Sequence, residues 1–571
     1  MSSKLASFRF SRLERSSRGY VCQQLCLRPR TRQTSTLNAA PKADKPAYVT
    51  SPIFYVNAAP HVGHLYTLIL ADVLKRWYAL LGRKSILCIG TDEHGLKIQR
   101  AAEKAGQDPR AFCDEMHLPF KKLANDANID YDHFIRTSDL DHRFVVQHFW
   151  LVLQQRGMIY QKKHEGWYSV SDETFYPEKA VGWALDPATG RKLMASLETG
   201  KEVEWTSENN YHFRMSAFKD QLLQYYKDNP HLILPKKRMK EVVQEVEAGL
   251  SDLSISRPRE RLSWGIPVPD DETQTIYVWV DALINYLTKA NYPFQIPGQE
   301  DRAGWPADCH VIGKDIVRFH CIYWPALLLA MHIPLPRRIL THSHWTLGRR
   351  KMSKSTGMVV NPFFAINRFG VDCMRWYLTI DGGLKDDAAY DNGYIISKYK
   401  KSLQGGLGNL VSRITKGQGW SVRSAVKQQR LSSEEDIDKK FQTCLRALPA
   451  DVMGHMDKPN PGDALATVMN VIYDTNVYLA QRAPWDLKTA AERDRLNEII
   501  YLCSEALRIC GILLQPFMPE KMSKLLDMLG VADNARLYEN TAFGSDKDYG
   551  TPRSALQDGN GVLFPKLPSY L

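Results

Sequence analysis

None of the ten cysteines forms a C-x-x-C pair, and no two pairs stand at zinc-knuckle spacing. That argues against a cysteine-held structural metal. Several cysteines (Cys88, Cys321, Cys503, Cys510) sit among apolar residues, where a free thiol packs as a small hydrophobe and suits a reducing compartment. Long apolar runs are missing too. Nothing approaches the roughly 18 residues that cross a bilayer, so no membrane partner is expected. Acid is nearly absent from the first 40 residues, where Glu14 alone faces Lys4, Arg9, Arg12, Arg15, Arg18, Arg28, Arg30 and Arg32. Seven of the twelve net positive charges therefore lie in the head, and the body is only mildly basic.

The head is also rich in serine, and its apolar residues alternate with arginines. This is the composition of a mitochondrial transit peptide over 1–40. The competing reading is a basic tail that touches nucleic acid directly. The acid-poor bias stops near residue 40, just before the folded pattern begins, which favours the transit peptide. A chain of 571 residues exceeds one core, so two to four domains are expected.

Residues 47–56, "AYVTSPIFYV", read as a buried strand. "NAAPHVGH" follows, with Pro60 fitting the first helical position, and then an amphipathic helix that Gly82 stops. A second buried strand, "SILCIG", completes a βαβ unit and hence a parallel sheet of Rossmann type. Strand-like segments recur at 308–313 and 337–342. Between the two groups the chain turns to short aromatic-rich strands such as "EGWYSV", which reads as an insertion. The expected layout is a first Rossmann half over 46–160 and a connective insertion over 161–265. A second half over 266–360, a linker with helices over 361–400, a helical domain over 401–545 and an irregular tail over 546–571 follow.

Two motifs carry chemistry. In "PHVGH", His61 and His64 share one side of a helix's first turn, and Gly63 lets a ligand approach the backbone. A helix N-terminus after the first strand of such a sheet is a phosphate site. The bland reading is two polar caps. In "GRRKMSKSTGMVV", Lys351 and Lys354 stand three apart in a segment of small hydroxyl residues and glycine. Alone this is a solvated loop; with a nucleotide nearby it is a phosphate clamp.

Together, "HVGH" and "KMSKS" resemble the signatures of class I aminoacyl-tRNA synthetases. "SPIFYVNAAPHVGH", "GTDEHG", "IYVWVDALINY" and "VIGKDIVRFHCIYWPALL" are similar to blocks of the methionyl-tRNA synthetase family in particular, over nearly the whole chain after residue 46. The resemblance implies an α/β fold: a class I Rossmann-type parallel sheet split by a connective insertion, followed by an α-helical anticodon-binding domain. It also implies ATP, carried with Mg2+, methionine and tRNA(Met) as substrates; the family's frequent C-terminal dimerisation module is not apparent, so a monomer is expected, and the head places it in the mitochondrial matrix.

Site residues carry over one by one. His61, Gly63, His64, Gly313, Asp315, Lys351 and Lys354 are expected at ATP, with His61, His64, Lys351 and Lys354 in catalytic roles. The methionine pocket maps to Ile53, Tyr55, Asp92, Trp279, Ala282, Tyr286, Ile316 and His320. Asp92 takes the ammonium, and a Tyr hydroxyl with a His N–H is expected near the thioether. Asn409, Arg413 and Trp485 are expected at the anticodon, one stacking and two reading a base edge. For each of these side chains alone, core packing or a surface cap is the ordinary explanation; the matched blocks favour the site.

Two departures stand out. Leu283 replaces a proline frequent in bacterial members. "EGWYSVSDETFYPE" offers Ser169 and Ser171 where many relatives carry zinc cysteines, so a knuckle without metal is expected. The insertion, near 100 residues, is too short for the hydrolytic domain of the leucine, isoleucine and valine enzymes, and suitable zinc cysteines for the cysteine enzyme are lacking. An RNA-binding protein that lost activity would not be expected to keep both motifs. A small-molecule nucleotidyltransferase would not need the long helical C-terminal part.

Overall fold

The computed structural model describes residues 45–571 apart from 173, 187–188, 296–298, 348–349, 352–358, 430, 432–434, 553–560 and 568–571. The expected transit peptide lies outside the described residues.

Six parallel strands form the central sheet: β1 (Ala47–Tyr55), β2 (Ser85–Asp92), β3 (His133–Arg136), β4 (Ile233–Leu234), β5 (Cys309–Gly313) and β6 (Ile339–His342). Their order is β3-β2-β1-β5-β6-β4, and every pairing is parallel. β1 is flanked by β2 on one side and by β5 on the other, so the strand order reverses at β1. Open α/β sheets bind ligands in the crevice at such a point. β1 is a near-continuous apolar run because both faces of a parallel sheet are covered.

Helix α1 (Val62–Leu80) crosses from β1 to β2 and buries most of its surface. Its N-cap is His61, so Pro60 stands one residue before the cap, not at the first helical position. Gly82, at φ +76°, turns the chain out of the helix, where a side chain would be strained.

The expected insertion, 161–265, is built around a four-stranded antiparallel sheet that reaches from Ile159 to Ser254. Its sheet pairs Ile159–Ser169 with Glu204–Phe213 in antiparallel register from Ile159↔Phe213 to Tyr168↔Glu204. Ile233 and Leu234, well inside the expected insertion, pair with Ile339 and Leu340 as the edge of the main sheet. A two-residue strand bounded by proline leaves no period to read.

Residues 361–400 do more than link. The helix Val371–Asp381 buries Arg375, whose guanidinium reaches Asp72 Oδ2 of α1 at 2.5 Å and donates to the carbonyls of Pro516 (2.8 Å) and Phe517 (3.1 Å). That side chain ties the sheet domain to the helical one. The helical domain packs Asp436–Met456, Pro461–Arg482 and Pro519–Leu529 around a central helix, Arg493–Leu513, buried at every residue from Leu496 onward. The tail forms no helix or strand after Thr541 among the described residues, yet Tyr549, Leu563 and Phe564 are buried in the core.

Candidate active site

The last residues of β1 alternate sides as a strand must. Phe54 points to the α1 side and meets the His64 ring at 4.8 Å, Ile53 packs against the core on the opposite side, and Tyr55 packs against both. One strand end thus touches both groups of expected site residues.

On the first side, His61 and His64 stack with ring centroids 3.9 Å apart. His61 Nδ1 accepts the Gly63 N–H at 3.0 Å, and His64 Nδ1 accepts the His61 N–H at 3.0 Å. The polar-cap reading of these residues is therefore correct as geometry. It also decides their chemistry. An Nδ1 that accepts carries no hydrogen, so each neutral imidazole bears its proton on Nε2. The helix start then carries two imidazole N–H groups in addition to its own backbone. Gly63 matters for a further reason: a Cβ there would lie 2.8 Å from His61 Cε1 and 2.9 Å from Nδ1. Only glycine lets the His61 ring fold back over the turn.

On the second side stand the expected methionine residues. Helix α2 (Val278–Thr288) carries Trp279, Ala282 and Tyr286 at helical spacing, and Leu283 is buried beside them. Trp279 stacks on Phe319 at 3.6 Å and meets Tyr55 edge-on at 6.3 Å. Its Nε1 is buried with no hydrogen-bond partner among the described residues. Ile316 packs at the same core. Tyr286 Oη and His320 Nε2 are 2.7 Å apart, and His320 Nδ1 is 3.0 Å from the Ile316 carbonyl. A carbonyl only accepts, so Nδ1 carries the hydrogen and Nε2 accepts from the tyrosine. This corrects the expectation of a His N–H facing a thioether: that N–H is already spent on Ile316. Burial pushes the His320 imidazole down to about 4, outweighing the opposing Ile316 bond, so it is neutral at ordinary pH.

Asp92 is 2% exposed at the end of β2, opposite Tyr55 in the register. The two residues that follow it are gripped. Glu93 receives both arms of Arg136 (2.7 and 2.8 Å) and the Ser138 hydroxyl (2.5 Å). His94 Nδ1 meets Asp281 Oδ2 at 2.6 Å. No periodicity singles out Phe319, His94 or Asp281; the signal, in hindsight, is the density of charge inside "GTDEHG" and an aspartate within an apolar helix.

Gly313 ends β5 at the switch point. A Cβ on it would meet Asp315 Oδ1 at 2.7 Å, and Asp315 Oδ1 lies 3.2 Å from His344 Nε2. Lys351 ends a two-residue strand paired with Thr346. Lys354 lies outside the described residues.

In the helical domain, Asn409 opens the helix Asn409–Thr415 directly after a π-wound stretch, Tyr399–Gly408. The Arg413 guanidinium carbon lies 5.0 Å from the Trp485 ring centroid. Ala483, at φ +42°, ends the preceding helix and swings Trp485 to the surface, where it is 43% exposed. At the expected knuckle, Ser169 Oγ lies 3.2 Å from Ser171 Oγ, and Asp172 Oδ2 accepts from Ser169, Tyr176 and Thr199 at 3.2, 3.1 and 2.7 Å. Hydrogen bonds close that turn.

Three comparisons bear on this arrangement. The family model described as tRNA synthetases class I (M) matches residues 47–415. A probable mitochondrial methionine–tRNA ligase of Neurospora crassa is 53% identical over 548 residues, 94% of this chain and 88% of the relative. The mitochondrial methionine–tRNA ligase of Homo sapiens is 40% identical, covering 94% of each chain. Among solved structures, Mycobacterium tuberculosis methionyl-tRNA synthetase in complex with methionyl-adenylate superposes with a TM-score of 0.82 at 37% identity, over 91% of this chain and all of that one. By its motifs, its fold and these similarities, the chain belongs to the class I tRNA synthetases, in the methionyl-tRNA synthetase family.

Proposed function

We propose that the protein joins methionine to tRNA(Met) for mitochondrial translation, by way of methionyl-adenylate. The observation that carries this is the end of β1, where one strand feeds a double-histidine helix start on one side and an aromatic cage on the other.

In the first step the methionine carboxylate attacks the α-phosphate of ATP. A carboxylate O–P bond forms, the bond to the β-phosphate breaks, and pyrophosphate leaves. Mg2+ enters with ATP as part of the substrate. No protein nucleophile is needed, so catalysis is positioning and charge stabilisation. His61 and His64 give their Nε2 hydrogens to the α-phosphate, and Gly63 keeps His61 folded into place. Lys351 and Lys354 hold the leaving pyrophosphate. Gly313 and Asp315 hold the ribose.

Asp92 takes the ammonium of methionine. The side chain lies among Ile53, Tyr55, Trp279, Ala282, Tyr286, Ile316 and His320, where polarizable sulfur suits aromatic faces. In the second step a terminal hydroxyl of tRNA attacks the adenylate carbonyl and AMP leaves. Trp485 stacks an anticodon base while Asn409 and Arg413 read an edge. The serine knuckle works without zinc, residues 1–40 direct the chain to the matrix and are removed there, and the enzyme acts as a monomer.

The test is ATP–pyrophosphate exchange by protein lacking residues 1–40, with methionine beside leucine, isoleucine, valine and cysteine. Exchange with methionine alone supports the assignment. Exchange with another amino acid keeps the class and overturns the pocket. No exchange in folded protein overturns the activity.

A further inference from the structure

Methionine, on the reading above, is held from two segments that are distant in sequence. Its ammonium meets Asp92 at the end of β2, and its side chain meets Trp279, Ala282 and Tyr286 of α2. Something must fix the distance between those segments, because a displacement near 1 Å is enough to spoil a site of this kind.

Asp281, itself on α2, reaches across to the residues after β2 through His94. It is 1% exposed and lies on the flank of α2, next in sequence to Ala282 and two residues from Trp279. Its Oδ2 meets His94 Nδ1 at 2.6 Å, and its Oδ1 meets His142 Nε2 at 2.7 Å. His94 is two residues past Asp92. His142 belongs to the helix Leu140–Gln155, and its other nitrogen meets Thr288 Oγ1, at the far end of α2, at 2.8 Å. Burial works to raise the Asp281 carboxyl, yet the charge and hydrogen bonds of His94 and His142 outweigh it and hold it below the ordinary range. A buried carboxylate accepts only, so both histidines must donate to it. A fixed charge with two short donors tolerates little movement.

We propose that Asp281 is a positioning residue for amino-acid binding, with its His94 arm setting the distance from Asp92 to the side-chain wall and its His142 arm serving only to seat α2. Because it touches neither reacting atoms nor ATP, its loss weakens methionine binding selectively.

The full-length chain distinguishes the two arms in methionine-dependent pyrophosphate exchange. His94→Ala is expected to raise the methionine KM at least tenfold with the ATP KM within twofold. His94→Gln, which keeps a donor on a side chain of similar reach, should recover most of that loss. His142→Ala should lower the melting temperature and leave the methionine KM within twofold. Asp281→Asn should behave as His94→Ala; if it fails to fold, the contrast between the two histidines still decides. Equal methionine KM values in His94→Ala and wild type would overturn the proposal. An equal rise in His142→Ala would overturn it too, since the cluster would then be general scaffolding. If the wild type exchanges with a different amino acid, methionine is the wrong substrate, and the same contrast is read on the amino acid that works.

Discussion

Arg413 lies across the face of Trp485, its guanidinium carbon 5.0 Å from the ring centroid, while the indole keeps 43% of its surface open. One face of the indole is thus held by a cation and a base would occupy exposed surface that remains. Base–aromatic stacking contributes about 1–3 kcal/mol. Trp485→Ala should therefore lower kcat/KM for tRNA about 5- to 150-fold and leave pyrophosphate exchange unchanged. Equal charging by Trp485→Ala and wild type would remove this surface from recognition.

Gly63→Ala is the sharpest probe of the histidine pair. The new Cβ would sit under 3.0 Å from the His61 ring, so the ring must swing away and give up the Gly63 N–H. Alanine favours a helix over glycine by up to about 1 kcal/mol, so the fold should hold. Losing one oriented donor at developing charge costs about 10²–10³ in kcat. Exchange that stays within threefold of wild type, with an unchanged melting temperature, would show that His61 does not act through this geometry.

Stability should fall on the acid side. Burial lowers His320 and His342 to about 4 each, against opposing carbonyl bonds from Ile316 and Ser343, while an unfolded histidine titrates near 6.5. The folded pKa is depressed, so between those values the unfolded chain binds protons that the folded one refuses. The contribution is fully present above about pH 6.5, is lost as pH falls towards 4, and amounts to about 3 kcal/mol per histidine at most. Urea midpoints should be level from pH 7 to 8 and drop from 6.5 to 5. His342→Gln should flatten part of that drop, provided it folds; a midpoint that rises with acid would contradict the assignment.

Asp72→Ala should be costly for a helix-favouring substitution. It leaves the Arg375 guanidinium, fully buried, with carbonyls but no carboxylate. Breaking a buried pair this way costs about 3–5 kcal/mol. Asp72→Ala with Arg375→Met should recover part of the loss, and the double-mutant cycle, read by thermal unfolding, measures the coupling. Additive effects would mean the two charges act independently.

Much of the sheet was legible in the sequence because buried parallel strands are continuous apolar runs. "AYVTSPIFYV" and "SILCIG" lie within one or two residues of β1 and β2. β4 was not, since two residues carry no period. The strand Ile159–Ser169 was half visible: "EGWYS" reads as a strand, but "QKKHE" before it is polar because that stretch faces water along much of its length. In the site, motif spacing brought out His61 and His64. Their tautomers depend on which backbone N–H each ring accepts, and that needs coordinates. Arg375 and Asp281 are not legible in the sequence because a single charged residue in a helix reads as a solvated face, and only long-range packing buries it.

The strand order has a consequence for how the chain comes together. Val49 pairs with Cys309, and the far edge, Ile233–Leu234, pairs only with Ile339–Leu340. A growing chain that has reached residue 300 holds three strands with one long edge of β1 open and the two-residue strand without a neighbour. Closure waits for residue 342. Completion of the sheet therefore cannot be local: distant segments must meet before it closes, which slows folding and leaves strand edges exposed while it proceeds. The interval between emergence of β3 and arrival of β5 and β6 is when that open edge is most exposed to wrong pairing.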